Sequence, residues 1–386
     1  MMNHNQKTDE NTMALNFLQI SNIISRWLLR KKSTTGLRRI VPLGAALATD
    51  VGMVRQENQD HVAALRGFDS NGQEYSVIAL SDGIGGMKDG ALCSAKAIGT
   101  FLGKIIEISK DKHANSPEQW LKAAALEANS RILQEYNETG GATLVAILHL
   151  KNQNPCWLSV GDSRIYSWDG KSVYQLSKDD TIAGQLGKQD KIDQEQTKLL
   201  QFIGSEAELD IHTGAIEAKE SRNVLLTSDG VHYLSSSQDW FEKIITNSGD
   251  PGVCVKRLID VSKWCGGPDN ASVAVISISH QAESTTELEQ DQLEIWDSFG
   301  ELQIPVFFTD SGSIEKKLID RNDHQKLEAK KDLLSESLSP EKTVPPEPKK
   351  TAKKRQRTPK KKIETQMNEQ KLVKAPELFV DFPDKD

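Results

Sequence analysis

The sequence has no paired cysteines. Cys93, Cys156, Cys254 and Cys265 lie far apart with no C-x-x-C pair, which disfavours both a thiolate zinc site and a disulfide framework. Cysteine-nucleophile phosphate chemistry would need an arginine six positions after the thiol. Gly99, Asp162, Asp260 and Ala271 stand there instead, so that chemistry is excluded. No run of ~18 apolar residues suggests a membrane span, and no leader peptide is apparent; the expectation is a soluble, cytoplasmic protein. Nor is there a Gly-Lys-Ser/Thr phosphate loop, a His-Glu-x-x-His pair or a Gly-x-Ser-x-Gly elbow. Gly83-Ile84-Gly85-Gly86-Met87-Lys88 approaches a dinucleotide fingerprint but ends on Lys88 where a glycine is required.

Charge is plentiful but unevenly spread. The 386 residues carry a net −7, and Lys349–Lys362 holds nine basic residues and no acid, so the remainder carries −16. An acidic body argues against a nucleic-acid-binding core, which needs positive surface to displace counterions. Hydrophobic content of 37% against 27% charged suggests a normal core diluted by disordered tails.

Three regions follow from composition. Residues 1–40 form an N-terminal extension in which Phe17, Ile20, Ile24, Trp27 and Leu28 recur at helical spacing beside Arg26, Arg30, Lys31 and Lys32. Such a basic amphipathic helix suits an anionic membrane surface, a partner, or its own domain. Residues 41–280 hold the regular patterns. Strands are expected at Ala45–Thr49, Tyr75–Leu80, Thr143–Leu150, Cys156–Val160, Ile165–Trp168, Val224–Thr227 and Ser272–Ile278. Helices are expected from Ala91 to about Ile108 and from Pro117 to about Tyr136, with Ser116 as a cap. Strands cluster and helices arrive between clusters, which predicts an α+β fold of mainly antiparallel sheets with helices outside. Residues 281–386 read as an acidic linker and a basic, Pro-containing, disordered tail. Its basic run would suit an acidic partner; no aromatic interleaves it, which weakens a nucleic-acid reading. Pro376–Val380 restores hydrophobicity as a short docking motif.

Carboxylates beside glycine carry the strongest signal. Val77–Gly83 and Val224–Gly230 share one phrase: an apolar strand, a hydroxyl, then Asp-Gly. Asp60 closes Gln56-Glu57-Asn58-Gln59-Asp60, Asp162 opens after Gly161, and Asp269 follows Gly266-Gly267-Pro268. A single Asp-Gly is usually only a turn, and Asp169-Gly170 reads that way. One turn does not need Gly83, Gly85 and Gly86 together; stacked glycines let backbone approach a ligand closely. Several aspartates without histidine or cysteine partners point to magnesium or manganese, not zinc.

Taken in order, these blocks resemble the metal-dependent protein phosphatase family, the type 2C serine/threonine phosphatases, in its bacterial form. The resemblance runs over about residues 44–279. It is carried by Thr49-Asp50-Val51-Gly52 with Arg55, Asn58-Gln59-Asp60, Asp82–Gly86, Gly140–Thr143, Val160–Arg164, Leu176–Asp179, Ser228-Asp229-Gly230 and Asp269-Asn270. It implies two packed antiparallel sheets flanked by helices, an αββα sandwich, with two core Mn2+ or Mg2+ ions at one end and a third, weaker one. Asp60 and Asp82 would bridge the core pair, the Gly83 carbonyl would serve one ion, and Asp229 and Asp269 the other. Asp162 with Asp229 would hold the third, and Arg55 would anchor the substrate phosphate. The implied activity is hydrolysis of phosphoproteins by in-line attack of a bridging water, opposite a cognate Ser/Thr kinase. A catalytically weak phosphoprotein-binding regulator is the alternative. Four positions depart from the pattern: Ile84 stands where animal members have histidine, Gln59 replaces a frequent glutamate, Ala142 a usual threonine, and Asp180 a frequent histidine.

Overall fold

The structure, a computed structural model, describes residues 14–114, 116–186, 198–217, 223–232, 238–278, 292–305, 307–308 and 314–315. The chain divides into two units, Met1–Leu318 with Leu378–Asp386, and Ile319–Glu377. The described residues all belong to the first. The basic run and the C-terminal apolar motif lie outside the described residues.

Helix α1 (Phe17–Leu28) is followed by strands β1 (Thr35–Ile40), β2 (Ala45–Asp50), β3 (Asp60–Phe68) and β4 (Glu74–Asp82). Helices α2 (Gly90–Ser109) and α3 (Pro117–Tyr136) come next. Strands β5 (Leu144–Leu150), β6 (Cys156–Val160), β7 (Arg164–Trp168) and β8 (Val173–Gln175) precede the short α4 (Ile182–Gln185). Then follow β9 (His212–Ala215), β10 (Asn223–Thr227), α5 (Asp229–His232), α6 (Gln238–Thr246), α7 (Pro251–Trp264), β11 (Ala271–Ser277), β12 (Gln292–Asp297) and β13 (Glu301–Pro305). Three two-residue strands, Ala14–Leu15, Phe307–Phe308 and Ile314–Glu315, pair as a small ribbon.

Two antiparallel sheets face each other. One runs β9-β6-β5-β4-β3-β12-β13 and the other β1-β2-β11-β10-β7-β8. The expected αββα sandwich is therefore the fold. Three apolar layers explain why the strands read as continuous runs: both faces of each sheet are covered. Along β3, Val62 and Ala64 point between the sheets, whereas Ala63 and Leu65 point toward α1–α3. On the far side Val273 and Val275 of β11 meet α7.

The N-terminal helix is part of this packing. Asn16 caps it reciprocally with Gln19, a capping box that satisfies first-turn N–H groups. Ile20, Ile24 and Leu28 are fully buried, and Ser21 and Ser25 lie against Gly99 and Gly103 of α2. Of the three uses open to this basic helix, packing on its own domain is the one described, and Arg30 beside it grips Asp297 through two bonds of 2.9 and 2.8 Å. Its apolar face is spent on its own domain.

Other details differ from expectation. Gln292–Pro305, expected in an acidic linker, forms β12 and β13; Ile295 and Trp296 of β12 pair with Leu65 and Ala64 of β3. The apolar Leu-x-Ile-Trp alternation within the acidic stretch, with Leu293 and Ile295 buried against the helices, is the reason. Ser116 precedes α3 but its hydroxyl makes no capping bond; Pro117 alone marks the start. Asp169 caps the β7–β8 turn by accepting from the Lys171 and Ser172 amides, as anticipated.

Candidate active site

Every strand that contributes to the site ends in a carboxylate at the same edge of the sandwich. Asp60 opens β3 and Asp82 closes β4, and the two are register partners across the ladder. Asp229 begins α5 directly after β10, and Asp162 sits in the turn between β6 and β7. Asp269 lies just before β11, where its Oδ2 accepts a 2.7 Å bond from Arg55 Nη2.

The electrostatics show how closely these groups share one pocket. Burial, then the Asp60, Asp229 and Asp162 charges, hold Asp82 well above the usual carboxylate range. Burial and Asp229 push Asp162 up to about 8. Asp60 rises to about 7, mainly by burial, although a Ser228 hydrogen bond resists the shift. Asp229 rises to about 6, by burial and by Asp269. Like charges in a desolvated pocket disfavour the ionised form. Arg55 is raised as well, but there it is the charged form that gains, chiefly from its Asp269 hydrogen bond and from the Asp269, Asp229 and Asp82 charges. All seven residues singled out from the sequence, Gly83 included, thus converge.

Supporting residues fix the carboxylates in place. Ser228 Oγ donates to Asp60 Oδ2 at 2.7 Å and accepts from the Ser272 amide. Thr49 Oγ1 bonds Ser272 Oγ and accepts from Asn58 Nδ2, while Asn58 Oδ1 accepts from the Asp60 amide. Asn270 pins the loop before β3: its amide donates to the Val51 and Glu57 carbonyls, and its Oδ1 accepts from the Gln59 N–H. Thr143 Oγ1 accepts from the Asp82 amide and bonds Ser163, tying β4 to the turn that holds Asp162.

Two glycines are required by geometry. A Cβ on Gly83 would stand 2.3 Å from the Gly90 carbonyl oxygen, so the chain after Asp82 can turn there only without a side chain. Gly161 has φ +100° and would drive a Cβ into Thr143, a conformation that favours glycine.

The departures from the family pattern have defined surroundings. Ala142 is fully buried and bridges Gly83 on one side and Ile203 on the other. Asp180 is buried, accepting from the Gly161 amide at 2.8 Å and meeting His212 Nε2 at 2.9 Å. Sequence reading missed His212: it lies 32 residues away, and nothing local marks it. It also missed Ser272, which looks like an ordinary strand residue, and His61, buried between Ser94 and the Leu28 carbonyl.

A hard cation fits this donor set. Asp60 Oδ1 and Asp229 Oδ1 are buried without a hydrogen-bond partner, and an unpaired buried carboxylate oxygen is costly unless a cation meets it. Among the described residues no three acidic, histidine or cysteine groups close into a cage by themselves.

The sequence profile of the protein phosphatase 2C family matches residues 54–257, just over half the chain. The protein phosphatase PhpP of Streptococcus pneumoniae is 26% identical over 61% of this chain and 98% of its own. The Ser-Thr phosphatase MsPP of Mycobacterium smegmatis, solved with cacodylate, is 27% identical with a TM-score of 0.50, covering 62% of this chain and all of that one. Stp1 of Staphylococcus aureus shares the fold at 18% identity, with a TM-score of 0.52 over 63% of this chain and 99% of that one. An antiparallel sandwich with aspartates gathered at one end defines a class of metal-dependent phosphatases. The chain belongs to the protein phosphatase 2C family, and it is an enzyme of that class.

Proposed function

We propose that this enzyme hydrolyses phosphoserine and phosphothreonine in proteins by direct in-line attack of water, with no covalent enzyme intermediate. Asp60, Asp82, the Gly83 carbonyl, Asp229 and Asp269 would hold two hard cations, Mg2+ or Mn2+, and Asp162 with Asp229 a third. When bound, such ions supply charge neutralisation at the phosphoryl group and a water nucleophile of lowered pKa. The observation that carries this reading is the pair of buried, unpartnered oxygens on Asp60 and Asp229.

The chain's own residues do the rest. Ser228 orients Asp60, and Asn58 and Asn270 hold the loop from Val51 to Gln59 that presents Arg55. Arg55 keeps its positive charge and spends one nitrogen on Asp269, leaving the remaining fork for a phosphate. Ile84 has no proton to give, so it cannot act as the general acid that the histidine of animal members is thought to be. The substrates would be products of a serine/threonine kinase, in keeping with relatives named serine/threonine phosphatases from Listeria. No helix among the described residues is long and apolar enough to cross a membrane, and the four cysteines are free, which suits the reducing cytoplasm.

A phosphoprotein-binding scaffold without turnover is not favoured. A scaffold has no use for four carboxylates held in mutual repulsion. The test is turnover of phosphoserine and phosphothreonine peptides across a manganese titration, with a phosphotyrosine peptide as control. Activity should rise from near zero as metal is added and vanish on chelation. Full turnover in excess chelator would sink the metal assignment, and preference for phosphotyrosine the substrate assignment.

A further inference from the structure

A groove of about 710 Å³ runs between β1 and α7, lined apart from the carboxylate pocket. Thr35, Leu37 and Arg39 line one wall, all from the face of β1 turned toward α7. Val253, Lys256, Asp260 and Lys263, successive turns of one helix face, line the other. Two of its apolar side chains are unusually open: Leu37 is 42% exposed and Val253 39%. Four cations line it, Arg39, Lys256, Arg257 and Lys263. Arg39, Lys256 and Lys263 are ion-paired with Asp250, Asp260 and Asp50, whereas Arg257 bonds the Asn247 carbonyl and Ser248 Oγ, so four cations meet three carboxylates and the groove stays slightly positive on an acidic body. β1 also ends its sheet: among the described residues it pairs only with β2, so one row of backbone groups is open to another strand.

The sequence contains a segment of matching chemistry. In Leu378-Phe-Val-Asp-Phe-Pro-Asp-Lys-Asp386 an extended backbone puts Leu378, Val380 and Phe382 on one face. Asp381, Asp384 and Asp386 outweigh Lys385. Pro383 cannot donate to a ladder, which limits strand pairing to about the length of β1. Leu378–Asp386 lies outside the described residues. Sixty-two residues separate it from Glu315, enough to reach any face even at the ~1.5 Å per residue of a helix.

We propose that the groove is the intramolecular docking site of Leu378–Asp386. The segment adds along the open edge of β1, a β-augmentation. Leu378, Val380 and Phe382 cover Leu37 and Val253, and its aspartates face Arg39, Lys256 and Arg257. This inference is independent of the catalytic assignment, since none of these residues belongs to the carboxylate pocket.

Hydrogen–deuterium exchange on the full chain tests it in both directions. Amides of Phe379–Phe382 should exchange at least about tenfold more slowly than in a free nonapeptide of the same sequence. Leu37→Asp, or Lys256→Glu with Arg257→Glu, should return them to the free-peptide rate. Leu378→Asp with Phe382→Asp, changes in the segment itself, should in turn speed exchange at Leu37–Arg39. Unchanged phosphatase turnover in each variant would show that the fold persists. Free-peptide exchange in the wild-type chain overturns the proposal, as does protection that survives the groove variants. Protection that appears only as protein concentration rises overturns it in favour of a second copy's segment.

Discussion

The interior of the sandwich and its carboxylate end are built from the same strands under opposite physics. In β3, Val62 to Leu65 are at most 3% exposed and pack into apolar clusters on both faces. Two residues before them, Asp60 is equally buried and has a carboxylate oxygen with no hydrogen-bond donor among the described residues. The same contrast recurs in β4, where Val77 to Leu80 lead to Asp82, and after β10, where Val224 to Leu226 lead to Asp229. Apolar burial stabilises by roughly 25 cal/mol per Å², and these layers supply the rigidity that holds like charges together. The site is therefore locally unfavourable and is sustained from elsewhere.

The largest effect should come from removing one charge at the unfavourable end. Asp229→Asn should lower metal-supported turnover by several orders of magnitude, since a donor to two of the proposed ions loses its charge. The same change should raise the melting temperature of the metal-free protein by a few degrees, roughly 1 kcal/mol or more, because repulsion with Asp82 and Asp269 is relieved. Gain of stability with loss of activity is the signature; a variant that loses both would make Asp229 a structural residue.

The complementary change belongs in the interior. Leu65→Ala removes a fully buried side chain of β3 and should cost about 2–5 kcal/mol by denaturant titration. The Michaelis constant of the folded fraction should stay unchanged. A shifted constant would mean that packing at Leu65 sets the position of Asp60 directly.

The two regions also differed in how far they could be read in advance. The carboxylate end was legible because its chemistry is written in short phrases, hydroxyl-Asp-Gly and stacked glycines, which owe little to distant context. Much of the interior was legible from apolar runs bounded by turns. β3 itself was not: Ala63-Ala64-Leu65-Arg66 favours a helix by local propensity, and only packing between two layers makes it a strand. Arg66 is buried there because Glu74 and Glu294, from the strands on either side, meet it at 2.6 and 3.4 Å. Those partners lie 8 and 228 residues away, and no local pattern announces the second. β12 and β13 were hidden for a similar reason, an acidic surrounding that masked a short apolar alternation.

Proton binding gives a third, smaller effect. Asp60, Asp82, Asp162 and Asp229 all titrate above their ordinary value in the folded protein. These carboxylates bind more protons in the metal-free fold than in the unfolded chain, so their contribution to stability falls as pH rises. His61, His149 and His232, whose pKa values are lowered by desolvation, act in the opposite sense below about pH 6.5, so melting temperatures of chelated protein should decline from about pH 6.5 to pH 8, where the carboxylates act alone. Manganese should restore more at pH 8 than at pH 5, since the cation competes with those protons. A flat profile without metal would show that the four carboxylates do not repel one another.

The smallest effect should sit at the border between the two regions, at Arg55. Its ion pair with Asp269 is partly exposed on both sides, and such pairs contribute only about 0–1 kcal/mol. Arg55→Ala should therefore leave the melting temperature within about two degrees of wild type. A charged hydrogen bond to a phosphate is worth more, roughly 1.5–3 kcal/mol. The Michaelis constant for a phosphothreonine peptide should rise on the order of tenfold or more, with kcat within about threefold. Arg55→Lys should recover only part of the loss, because a single ammonium cannot reproduce a two-pronged contact while also meeting Asp269. A lowered kcat at an unchanged constant would place Arg55 at the transition state alone, and the loop pinned by Asn270 would then serve the reaction itself rather than the capture of substrate.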